Sequence, residues 1–175
     1  LIAGLIWLIW TMKMLSLSIF FIMGSCFMLP EKTKLKIQFE IEQIARLIET
    51  YSELLKKCWQ NEPDNIEIAA LGSVLHSFYN GLENIFSVIA KEVDGNMPQG
   101  FSWHKDLLIQ ISNKTTSRNA VLSEATREKL VIYLGFRHFY RHSYSFFLNW
   151  NELKPLIGDL NSVWEEIRKS LEKFA

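Results

Sequence analysis

Beyond Pro30, apolar residues recur every three or four positions along most of the chain, the spacing of amphipathic helices. Ile37, Ile41, Ile44, Leu47, Ile48, Tyr51, Leu54 and Leu55 predict one helix over residues 34–60, with Glu49, Glu53, Lys56 and Lys57 left for water. Pro63 ends it, because proline has no N–H to donate and restricts its predecessor. A second helix is predicted over residues 66–93, with Leu71, Leu75, Phe78, Leu82, Ile85, Phe86 and Ile89 on one broad face. Gly72 and Gly81 cost that helix propensity; their expected use is close packing.

Ser102 is positioned to cap a shorter helix carrying Trp103, Leu107, Leu108 and Ile111, from which His104 and Lys105 can face a later basic helix. Residues 113–122 are polar and read as a mobile loop whose Lys114 and Arg118 can reach a phosphate backbone. Ser123, followed by Glu124, caps a long helix predicted to run to about residue 147, with Phe136, Phe139, Phe146 and Phe147 marking its core side. Pro155 and Gly158 interrupt the next segment, and Ser162-x-x-Glu165 makes a capping box for a last helix carrying Val163, Ile167, Leu171 and Phe174. No alternating apolar run is bounded by hairpin turns. The prediction is an all-α, up-and-down bundle of four to five helices over residues 28–175, preceded by a hydrophobic extension, residues 1–27.

That extension carries one charge, Lys13, and is long enough to span a bilayer. A secretory signal is a second reading, with Met23-Gly24-Ser25-Cys26 loosely resembling a lipoprotein cleavage site. A third is translated upstream sequence, with Met28 as an ordinary start. Cytoplasmic location follows from the third reading and membrane anchoring from the first.

Lys and Arg number 19 and Asp and Glu 19, so no global field draws nucleic acid. Binding of RNA requires a local patch. Arg127, Lys129, Arg137 and Arg141 supply one against Glu128, and the stretch from Arg137 to Tyr144 adds His138, His142 and two tyrosines. On a helix, Arg137, Arg141 and Tyr144 fall nearly in line, with His138 and His142 beside them. The bland reading of the patch is a solvated face. Cys26 and Cys58 show neither a metal-type nor a disulfide-type spacing.

His138 and His142 are four apart, but the stretch lacks the glutamate and further ligands of a zinc site, so neither metal nor cofactor is expected. Nucleotidyl transfer needs clustered acids for magnesium, and Gly72-Ser73 is followed by none. Phosphodiester cleavage by side chains alone fits better. Imidazole exchanges protons near neutral pH, and arginine stabilises charge building on phosphate oxygens.

Arg137, four residues, His142, one residue, Tyr144 resembles the R-x4-H-x-Y motif of the HEPN domains of HepT-like toxins, and the polar His138 after the arginine suits that pattern. The resemblance covers roughly residues 28–175. It implies a ribonuclease toxin of a bacterial toxin–antitoxin pair, with Arg137 and His142 catalytic and His138 and Arg141 supporting. His138 stands where such toxins often have asparagine, which leaves open a share of proton transfer for it. The resemblance also implies an RNA substrate and a minimal nucleotidyltransferase (MntA-like) antitoxin that adenylylates the motif tyrosine, here Tyr144. Arg137 and His142 are five apart, about 140° around a helix, a divergence better served by two copies meeting. HEPN ribonucleases, likewise, act as homodimers with a composite site. A rival reading is a non-catalytic helical module that binds a nucleotide or protein partner through the same surface.

Overall fold

The computed structural model describes residues 29–175; the expectations for residues 1–27 and for a start at Met28 lie outside the described residues. The described chain is all-helical, as expected. Its elements are α1 (Glu31–Thr50), α2 (Ser52–Gln60), α3 (Asn65–Glu92), α4 (Trp103–Ser112), α5 (Glu124–His142), a 3-10 turn (Ser145–Phe147) and α6 (Trp150–Phe174). No helix among the described residues is long and apolar enough to cross a membrane.

The central helix is α3, which packs against every other element. Asp64 caps it, accepting from the backbone N–H groups of Ile66 and Glu67 while the Glu67 carboxylate accepts from Asp64 N–H. These bonds satisfy donors that have no partner inside the helix. Leu71, Leu75, Phe78, Leu82, Ile85 and Ile89 are wholly buried, each burial stabilising by roughly 1.5–3 kcal/mol. Two glycines let neighbours close in. A Cβ at Gly81 would lie 2.7 Å from Ile44 of α1, and one at Gly72 would lie 2.8 Å from Leu148 and 3.1 Å from Tyr140.

Several sequence expectations are corrected. The first helix divides at Tyr51, whose φ of −101° and ψ of 11° depart from helical values. The segment around Pro155 is uninterrupted, because Pro155 and Gly158 lie on the exposed side of α6 while Leu153, Leu156, Ile157 and Leu160 bury the opposite side. Ser162 therefore caps nothing; its hydroxyl donates to Asp159 carbonyl oxygen at 2.9 Å. Arg118 is no phosphate-seeking loop residue. It is buried, donating to Asp94 at 2.8 Å and to the carbonyls of Gln110, Ile111, Asn113 and Asn119, where it fixes the loop to the end of α4. Carbonyls at a helix C-terminus attract a cation.

Candidate functional site

Ser123 accepts from Thr126 N–H and starts α5, as the sequence predicts. Thr126, Leu130, Tyr133 and Arg137 form the buried stripe of the helix. Arg137 thus occupies a position that the helical phase reserves for an apolar side chain. Its burial is balanced from α3: Arg137 Nε donates to Asn80 Oδ1 at 2.7 Å and Nη2 donates to Glu83 Oε2 at 2.6 Å. Glu83 bridges onward, its other oxygen hydrogen-bonded to His104 Nδ1 of α4. Nη1 of Arg137 is buried with no partner among the described residues.

Asn80 also meets His76 Nε2 at 2.9 Å, and the His76 ring stacks on Tyr140 of α5 with centroids 4.8 Å apart. Burial, then the charges of Arg137 and Arg141, hold the His76 imidazole below its ordinary range, which leaves it neutral at pH 7. Its Nδ1 is buried and unpartnered among the described residues. The result is a polar chain from His76 through Asn80, Arg137 and Glu83 to His104, joining three helices. Sequence reading anticipated only that His104 could face α5. A signal was present, because His76, Asn80 and Glu83 recur at helical spacing beside the broad apolar face of that helix.

The structure separates the expected catalytic pair. Arg137 is inside, whereas His142 is exposed as the last residue of α5. His138, one turn earlier, is also exposed, with its ring 5.3 Å from that of His142. Arg127 pairs with Glu124, Lys129 with Glu166 and Arg137 with Glu83, while among the described residues Arg141 makes no ion pair. Arg141 and His142 sit where the helix C-terminus favours positive charge.

The helix stops five residues before the predicted end. Ser143 is extended, with φ of −113° and ψ of 154°, and Tyr144 lies outside the helix, so it is not in line with Arg137 and Arg141 on one helical surface. Tyr144 is 71% exposed. The expected core side also fails in part: Phe136 packs partly on the core, but Phe139, Phe146 and Phe147 are exposed. A cavity of about 170 Å3 lies beside Tyr144, lined by Tyr140, Ser143, Tyr144, Ser145 and Leu148. Among the described residues no group of three or more His, Cys, Asp or Glu is placed to hold a metal ion.

A helical bundle with an Arg/His-bearing helix end is the class that fold and site define. The family model described as HepT-like protein matches residues 70–175, more than half of the chain. The chain belongs to this family of HepT-like HEPN-domain proteins, which is related to ribonucleases. No curated protein and no solved structure matches it.

Proposed function

We propose that the protein is a metal-independent endoribonuclease acting as the toxin of a toxin–antitoxin pair. The observation that carries this reading is the exposed end of α5, where His142, His138 and Arg141 stand together above the buried Arg137. His142 accepts the proton of a ribose 2′-hydroxyl; the 2′-oxygen attacks phosphorus, and the 5′-oxygen leaves with a proton from a second histidine. The products are a 2′,3′-cyclic phosphate and a 5′-hydroxyl. Arg141 faces the phosphate, and Arg137, paired with Glu83, holds the last turns of α5 against α3. His138, or His142 of a second copy, supplies the acid.

The exposed face of α5 supports a homodimer. Val131, Ile132 and Phe139 are exposed apolar residues there, and Gly135 lies between them. Among the described residues a Cβ at Gly135 would meet nothing within 4 Å, so no contact among them accounts for a glycine that costs the helix roughly 1 kcal/mol. A second helix approaching closely accounts for it.

Control by a minimal nucleotidyltransferase antitoxin fits the exposure of Tyr144. In that reaction the Tyr144 oxygen attacks the α-phosphorus of ATP, pyrophosphate leaves, and the phenolic proton is lost. The added adenylyl group places negative charge and bulk beside Arg141 and His142. Incubating the protein with such an enzyme and ATP, then locating the added mass by peptide mass spectrometry, tests this step; mass on another residue overturns it.

The second reading, a non-catalytic binding module, is favoured by one observation: the Arg137 charge is consumed by Glu83. It predicts RNA or nucleotide binding that survives His142→Ala and no cleavage by the parent.

A further inference from the structure

Three exposed aromatic rings follow the motif helix directly. Tyr144, Phe146 and Phe147 are 71%, 74% and 60% exposed. They are not splayed at random: the Tyr144 and Phe146 rings lie 5.3 Å apart and 6° from parallel, and Phe147 adjoins Phe146 at 4.6 Å. The backbone beneath them is fixed. Phe147 N–H donates to Tyr144 carbonyl at 3.0 Å and Leu148 N–H to Ser145 carbonyl at 3.1 Å, while Leu148 is seated on Gly72 of α3. Rings held this way bind a flat partner without first losing much conformational freedom.

The charge around the rings narrows the partner. Arg141 and His142 border the turn, and no acidic residue occurs in sequence between Glu128 and Glu152. Cations with no carboxylate beside them in sequence favour a partner that carries negative charge. A phosphate chain supplies the missing negative charge, and its unpaired bases supply the flat apolar faces. Paired bases offer no free face.

We propose that Tyr144, Phe146 and Phe147 form a stacking platform for unpaired nucleobases of a single-stranded RNA, whose phosphate runs past Arg141 and His142. This rests on the ribonuclease reading and names the substrate form that the site takes. It assigns Phe146 and Phe147 to binding, a role that the motif residues do not include.

The test uses a 2′-O-methyl RNA oligonucleotide containing 2-aminopurine, which cannot undergo 2′-oxygen attack, free and annealed to its complement. The parent protein should quench the fluorescence of the single strand and bind the duplex at least tenfold more weakly. Phe146→Ala should weaken single-strand binding about tenfold or more, Phe146→Tyr should restore it, and sedimentation should show the same oligomer for all three. Equal binding by parent and Phe146→Ala, equal binding of strand and duplex, or loss of self-association in Phe146→Ala would overturn the platform. Cleavage of unmodified RNA is followed in parallel. Quenching without cleavage removes the ribonuclease reading and leaves the platform; cleavage with unaltered binding by Phe146→Ala removes the platform and leaves the ribonuclease.

Discussion

Glu83 Oε2 accepts from Arg137 Nη2 at 2.6 Å across the α3–α5 contact, and both side chains are buried. The motif arginine is therefore part of the fold. Removing one partner leaves a buried charge without compensation, which costs about 3–5 kcal/mol.

Glu83→Ala should lose that amount in urea unfolding, and Arg137→Ala a similar amount. The double substitution Glu83→Leu with Arg137→Met should recover most of it, since an apolar pair of similar volume needs no desolvation of charge. Additive losses in the double variant would show that the pair is not coupled. Activity lost in Arg137→Ala is consequently readable only beside this stability measurement, whereas surface changes at Arg141 and His142 leave the core intact.

Gly135→Leu fills the open notch on the exposed face of α5. Sedimentation velocity should show conversion of dimer to monomer, with helical content by circular dichroism unchanged. A dimer of unaltered affinity would move the self-association surface elsewhere.

Gly72→Ala places a methyl group 2.8 Å from Leu148 Cδ1. Overpacking of this kind costs about 1–3 kcal/mol, and the displaced Leu148 carries the aromatic turn with it. Lower thermal stability together with slower RNA cleavage is expected; a variant matching the parent in both would show that the contact is slack.

His76 gives a pH signature. Its pKa is lowered in the folded state, chiefly by burial and then by Arg137 and Arg141, so between the folded and unfolded values the unfolded chain binds more protons. Stability from this residue is full above the unfolded value of about 6.5 and declines as pH falls through the folded one. Thermal melts from pH 7.5 to pH 5 should fall more steeply for the parent than for His76→Gln. Parallel curves would contradict the assignment.

Much of this architecture is legible in the sequence because apolar spacing fixes helical phase. The buried stripes of α3 and α6, the Ser123 cap and the break at Pro63 all follow from it. Phe139 misleads because aromatic character suggests core, yet it stands nine residues after Leu130, about half a turn out of phase. Arg137 stands seven residues after Leu130 and shares its buried side, which its charge disguises. The burial of Arg137 depends on Glu83, Asn80 and His104, three residues from two other helices, and no spacing along α5 encodes them. The end of α5 is equally hidden, because Ser143 turns extended while Leu148 seats on Gly72, a contact far apart in sequence.

The most direct test of the account is cleavage of single-stranded RNA by the purified, unmodified protein, compared with His142→Gln and Arg141→Ala, with product ends analysed. The account predicts fragments with 2′,3′-cyclic phosphate and 5′-hydroxyl ends from the parent, at least a hundredfold less from His142→Gln, and a reduced, more salt-sensitive rate from Arg141→Ala. Intact RNA with the parent, or equal cleavage by His142→Gln, would contradict it.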